Sequence, residues 1–392
     1  MRKILIFGLV LILALSTLMF VTSCDGNGAG GAEVVVSTMA GGDSFSLIVR
    51  DGFIYAAGIA RGGQLGFESS EHIFELTRVE DISNVVGVAA GYGHALAVTE
   101  DGYVYSWGRN DRGQLGIGSR ETKHVPTRVE LDLKAVSVAA GGNISFAIME
   151  DGTVRGWGMN DDGHVGNGEG ETGLNAYTPA VVVNVSNVVE VAVGHDHAAA
   201  RIANGDVFVW GYNEMGQAGN GDEEDVIIPE KVEGLPSKAV SIAANRFNTI
   251  IALEDGGVFA TGGGVDEEEG LYFSFNETST QSHRFIKMTG FSEIVQVSAT
   301  ADSILAIDEH GKMWAVGANS SGNLGLGDTD DRIAPYVIEE LDSVLELAGG
   351  DWHVLILREN GNVYGMGATQ FGQLAQGTEN RSRVVSPTLI VE

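Results

Sequence analysis

Apolar and polar positions alternate in short runs along almost the whole chain, and the runs recur in a fixed order. Val86-Gly-Val-Ala-Ala90 and Val136-Ser-Val-Ala-Ala140 are short apolar runs of the kind that form buried strands. A second run follows, as in His94-Ala-Leu-Ala-Val98, and then a third, as in Tyr103-Val-Tyr-Ser-Trp107. Asp-Gly separates the second from the third, a strong hairpin signal because both residues tolerate positive φ. A fourth run begins at a proline, and Pro126, Pro179, Pro229, Pro335 and Pro387 all occupy this slot. Proline cannot donate to a sheet ladder, so the fourth strand is expected at the outer edge.

This four-strand unit occurs seven times, opening at Asp51, Asp101, Asp151, Asn204, Asp255, His310 and Asn360. A glycine stands seven positions after each anchor: Gly58, Gly108, Gly158, Gly211, Gly262, Gly317 and Gly367. A second motif opens with a glycine followed by Gln-Leu at Gly63, Gly113 and Gly372, and reads Gly-Gln-Leu-Gly at the first two, with weaker versions elsewhere. Units of about 50 residues repeated this often predict an all-β fold, a seven-bladed β-propeller of four-stranded blades. The predicted organisation is a leader over 1–23, a glycine-rich tether over 24–32 and the propeller over 33–392. A first-type strand is expected over Glu33 to Ala40 and a fourth-type strand over Pro387 to Val391. The termini then meet at one seam, either completing a single blade or flanking the join between two.

Trp107-Gly-Arg-Asn-Asp-Arg-Gly-Gln-Leu-Gly-Ile-Gly118, preceded by Ala90-Gly-Tyr-Gly-His94, resembles the regulator of chromosome condensation repeat. Trp157-Gly-Met-Asn and Trp210-Gly-Tyr-Asn carry the same pattern, and the resemblance covers 33–392. Kelch repeats share the period but lack this pair of motifs. The resemblance implies a seven-bladed propeller. The family includes nucleotide exchange factors for a small nuclear GTPase and secreted propellers that inhibit β-lactamases through face loops.

The first residues form a separate object. Arg2 and Lys3 precede an apolar run from Ile4 to Val21, followed by Thr22-Ser23-Cys24. A basic start, an apolar stretch and small residues before a cut describe an export signal. Val21 to Cys24 resembles the bacterial lipoprotein box, with Cys24, the single cysteine of the chain, as the lipid-bearing residue. The alternatives are an uncleaved anchor, because the run could nearly span a bilayer, and ordinary secretion. All three place the propeller outside the cytoplasm, and the lipid-anchored reading places it in the cell envelope. An exchange activity that needs a nuclear GTPase is therefore not expected. Membrane attachment is expected through Cys24 only.

Charge narrows the partners. The formal net charge is −30, and removal of a leader carrying Arg2 and Lys3 takes it to −32. Nucleic-acid binding rests on neutralising phosphates, so it is not expected; a basic protein partner is favoured.

Little in the chain points to catalysis. It has no Gly-x-Ser-x-Gly elbow and no phosphate-cradling Gly-Lys-Ser/Thr motif. No enzyme activity and no cofactor are expected. Seven positions before the anchors stand Ser44, His94, Ile144, His197, Asn248, Ser303 and His353. The histidines are expected to tie adjacent loops by hydrogen bonds; the pair His195 and His197 is the remaining arrangement to weigh for a metal. The acidic runs at Asp222 to Asp225, Asp266 to Glu269 and Asp328 to Asp331 lack the spacing of a calcium loop. Trp107, Trp157 and Trp210 are expected to pack between blades. Copy five departs most from the rule. In place of Gly-Gln-Leu-Gly it carries Asp266, Glu267 and Glu268, then Tyr272, Phe273 and Phe275. Acid beside clustered aromatics is the composition of a protein-contact patch. Trp352, in a first-to-second strand loop, is a further contact candidate. The expected function is a lipid-anchored, extracytoplasmic protein-binding propeller acting through loops on one face. The alternative is an inhibitor of an extracytoplasmic enzyme.

Overall fold

The structure, a computed structural model, describes residues 33–170, 174–263, 282–377 and 383–392. Within them, seven four-stranded antiparallel sheets follow one another along the chain, each with its strands in sequence order. Blade one comprises β1 (Met39–Gly41), β2 (Phe45–Arg50), β3 (Phe53–Gly58) and β4 (Ile73–Arg78). Blade seven comprises β25 (Val344–Gly349), β26 (His353–Arg358), β27 (Val363–Ala368) and β28 (Arg383–Val391). First strands line an axial channel and fourth strands form the rim. One face of the disc carries the second-to-third hairpins; the other carries the first-to-second and third-to-fourth loops.

Each blade is one continuous stretch, so the termini flank the join between blades seven and one. Side chains close that join. The Glu346 carboxylate accepts from the Thr38 amide at 2.9 Å, the Thr38 hydroxyl at 2.6 Å and the Met39 amide at 3.3 Å. An apolar cluster of Met39, Ile48, Leu355, Val363, Leu374 and Val384 spans the same join. Buried apolar side chains between neighbours hold the other blades too, as where Leu96 and Val98 of blade two meet Met149 and Trp157 of blade three. Each such fully buried large side chain contributes about 1.5–3 kcal/mol.

Three expectations need correction. The strand expected over Glu33 to Ala40 shrinks to Met39–Gly41. Residues 33–38 form no ladder; they cross the channel at the hairpin face. The Val35 amide donates to Val189 of blade four at 2.8 Å, the Ser137 hydroxyl of blade three to the Val35 carbonyl at 2.8 Å, and the Val88 amide of blade two to the Ser37 carbonyl at 3.0 Å.

The prolines do not begin the fourth strands, which start three or four residues earlier. Each closes a bulge in the outer strand. In blade two, Gly108 pairs with Lys123 and Ser106 with Thr127, so one residue faces three, the last of them Pro126. Pro179, Pro229, Pro335 and Pro387 take the same place. A residue without an N–H suits an unpaired position.

The Asp-Gly turns work differently from the expectation. Only in blade one do both residues take positive φ, 51° at Asp51 and 75° at Gly52, in a tight two-residue hairpin. Elsewhere the hairpin is longer; in blades three, four, five and seven the anchor side chain caps it, whereas in blade two Thr99 and in blade six Asp308 accept the turn amides. Asp151 and Asn204 each accept the amide two residues on at 2.9 Å, Asp255 does so at 3.0 Å and Asn360 at 3.1 Å. A short acceptor side chain explains why Asp and Asn share this slot.

Candidate functional site

Beneath the loop face lies a repeated framework. Trp107, Trp157 and Trp210 are fully buried, and each indole N–H donates at 2.9 Å to a carbonyl of the preceding blade, at Gln64, Gln114 and His164 respectively. The asparagine of Trp-Gly-x-Asn shapes the following loop. Asn110, Asn160, Asn213 and Asn319 each accept the amide five residues later, at 2.8–3.0 Å. Two of the acidic runs share in this, as Asp225 and Asp331 accept the amides of Asn213 and Asn319 at 2.9 and 2.7 Å.

The histidines stitch neighbouring blades. Nε2 of His94 lies 2.8 Å from the Ser145 hydroxyl, that of His197 3.0 Å from Thr249, and that of His353 2.8 Å from Ser46 across the seam. Each hydroxyl donates onward to a carbonyl, of Gln114, Gln217 and Gln373. It must therefore accept from the histidine, which places the imidazole proton on Nε2. Burial depresses the pKa of His94 to about 3 and of His197 and His353 to about 4, so all three are neutral at physiological pH. A hydroxyl follows only where the preceding blade supplies histidine; elsewhere the position is Ala95, Ala198, Ile304 or Val354. Because the blade-one hairpin is shorter, its member of this ring is Phe45, not Ser44 as the anchor spacing implies. His195 and His197 do not form a pair: His195 turns to the Asp196 carboxylate at 2.8 Å while His197 is buried between blades.

Above this framework, seven loops converge on the channel mouth at Asp43, Tyr92, Gly142, His195, Arg246, Ala301 and Asp351. A hollow of about 370 Å³ opens there, with Asn143, Arg109 and Trp352 on its walls. Below it the throat narrows to about 90 Å³, lined largely by small residues. The lower channel, about 210 Å³, includes Val35 and Ser37 in its wall. Tyr92 reaches over the Gly142 loop to set its ring edge-on to His195, centroids 6.2 Å apart.

The mouth is electrostatically uneven. Burial and the neighbouring Asp43 push the Asp351 pKa up to about 6. Burial also raises Asp43 and Asp302. The hydrogen bond to Asp196 raises His195. This arrangement can hold a proton near neutral pH or receive a cationic group. On the hairpin face, Glu293, Glu309 and His310 offer ligand atoms within 4.8 Å of one another, all on exposed side chains.

Trp352 lands on the wall of the mouth and is half-buried. Asp266, Glu267, Glu268, Tyr272, Phe273, Phe275 and Cys24 lie outside the described residues. Asp43, Tyr92, Arg246 and Asp351 went unnoticed in the sequence. Their signal is positional, two residues before the histidine slot, and it emerges only once blade one is aligned correctly.

Residues 23–290, more than half of the chain, match the RCC1-like domain. The chain belongs to the RCC1-like family. Regulator of chromosome condensation (RCC1) repeats match 310–357 and 344–373 as well. RCC1-like relatives include the ultraviolet-B receptor UVR8 of Arabidopsis thaliana, 31% identical over 202 residues, 51% of this chain and 45% of that protein. The E3 ubiquitin-protein ligase HERC2 of Homo sapiens is 30% identical over 207 residues, 51% of this chain and 4% of that protein. The chain spans less than half the length of these curated relatives. Among solved structures, human WBSCR16 superposes with a TM-score of 0.77 at 21% identity, over 88% of this chain and 94% of that one. Prp20p from Saccharomyces cerevisiae, whose structure was described with its binding to Gsp1p and histones, gives 0.74 at 20% identity, over 88% and 87%. At these identities the likeness shows the RCC1-like fold alone.

Proposed function

We propose that this RCC1-like propeller is a protein-binding module, exported and held at a membrane by lipid on Cys24, that engages its partner through loops on one face. The mouth of the loop face carries the binding reading. Tyr92 and Trp352 stand there partly exposed, and among the described residues neither the Tyr92 hydroxyl nor the Trp352 indole N–H donates to another residue. The framework tryptophans, by contrast, are fully buried and bonded. Aromatic side chains that the fold does not consume are the usual anchors of protein interfaces. The binding of Prp20p to other proteins supports the same use of the scaffold. The copy-five segment with Tyr272, Phe273 and Phe275 joins the third and fourth strands of blade five and belongs to this reading by sequence position.

Two experiments test the function. Cys24→Ser should move the protein from the membrane fraction to the soluble one; retention in membranes would exclude the lipid anchor. The full chain, used as bait against envelope proteins of its native cell, should capture a partner that is lost when 265–275 is replaced by the copy-two loop. Equal capture by both baits would remove that loop from the interface.

A further inference from the structure

The two ends of the axial channel are not equivalent. At the hairpin face, residues 33–38 are threaded into the channel wall. Val34 packs on the apolar cluster shared by blades three, four and five. Val35 bonds to blades three and four, Ser37 to blade two and Thr38 to Glu346 of blade seven. Gly87 leaves the space that Val36 fills: a Cβ there would stand 2.5 Å from the Val36 side chain. Five consecutive residues are thus fixed against four blades before β1 begins. Glu33, exposed at this face, is where the chain enters from upstream.

Geometry then limits which way the disc can face. From Cys24 to Glu33 the chain spans at most about 32 Å even when fully extended. Four strands about 4.8 Å apart, beyond the channel, put the rim roughly 20 Å from the axis, and strands of this length make the disc about 20 Å thick. A path from the lower mouth round the rim to the loop face is about 40 Å, longer than the tether.

We propose that the hairpin face is the anchored side of this protein and that the loop face, with its axial mouth, is the surface presented to a partner protein. The proposal rests on the reading of Cys24 as the lipid-bearing residue. The partner approaches from the aqueous side and offers basic side chains. The basic character of the partner follows from the chain's formal net charge of −30; at the mouth itself Asp43 and Asp351 stand beside Tyr92 and Trp352, with Arg109 and Arg246 on the same walls.

The test uses the full lipidated chain in phosphatidylcholine vesicles that carry an acceptor dye on the headgroup. A donor dye is placed on Glu100→Cys, exposed in a blade-two hairpin, or on Gln370→Cys, exposed in a blade-seven loop. Energy transfer to the membrane should be several-fold stronger from position 100. Equal transfer, or stronger transfer from 370, overturns the proposal. If neither chain associates with vesicles, the lipid reading of Cys24 fails, and the proposal with it. Hydrogen exchange then separates the two failures: protection of the Val35 and Val88 amides leaves the threaded segment standing. Exchange of Val35 at the rate of an unstructured tail overturns the threading itself.

Discussion

The two faces of the disc are built by different rules. On the hairpin face, turn after turn repeats one device, an Asp or Asn accepting the amide two residues on, and the N-terminal segment crosses the channel along its wall. On the loop face the repetition lies underneath, in the indole and imidazole bonds between blades, while the outermost ring differs from blade to blade. The inner side-chain chemistry holds the ring together, while the outer ring, apart from Gly142, which has no room for a Cβ, varies in residue type from blade to blade.

The framework beneath the loop face should give the largest effect. Trp157→Ala removes a fully buried indole and its 2.9 Å bond to Gln114, and should cost about 3–5 kcal/mol in denaturant unfolding. On the hairpin face, Asp151→Ala removes an exposed turn cap and should cost about 1 kcal/mol. Comparable losses would erase the difference between the faces.

Acid should expose the histidine stitches next. A neutral buried histidine whose folded pKa is depressed contributes stability that is complete above the unfolded value. That stability fades as pH falls below about 6.5 towards the folded pKa. For His353, depressed from 6.5 to about 4, the full effect is roughly 3 kcal/mol. Glu190 and Glu346 act in the opposite sense: burial raises both, so their contribution is complete below the ordinary glutamate range and is lost as pH rises above that range through their raised folded values. His353→Asn, which copies Asn248 of blade five, should flatten the loss of stability between pH 6.5 and 4. An unchanged slope would mean that His353 is already charged in the fold.

A smaller effect concerns the join of the ring. In a double-mutant cycle, His353→Ala and Ser46→Ala should couple by about 1 kcal/mol, because each hydrogen bond in the relay needs its partner. Independent losses would leave the join to the Glu346 bonds and the apolar cluster.

The repeat was fully legible in the sequence, because each blade places the same residue types at the same turns. Register was not. Prolines mark an outer strand, but only the pairing shows them at the end of a bulge rather than at a strand start. One residue missing from the blade-one hairpin moved Phe45 into the slot assigned to Ser44, and so hid the match of His353 with Ser46. That match was present in the sequence, since hydroxyls at 46, 145 and 249 answer histidines at 353, 94 and 197. The β-branched run Val34-Val35-Val36 signalled a strand, yet its partners are scattered over separate blades and give no ladder. The mouth carries only a positional signal, two residues before the histidine slot, and Asp43 and Asp351 meet only when the ring closes.

Substitutions at the loop-face mouth, where Asp351 and Trp352 are partly buried, decide the central claim. Binding of a captured partner should be measured for the full chain, for Trp352→Ala, for Asp351→Lys and for Glu100→Lys on the hairpin face. Loss of about tenfold or more in affinity from the two loop-face variants, with both still showing the cooperative unfolding of the parent and Glu100→Lys unaffected, is the predicted result. Full binding by Trp352→Ala and Asp351→Lys, with loss confined to Glu100→Lys, would place the partner on the wrong face and contradict the account.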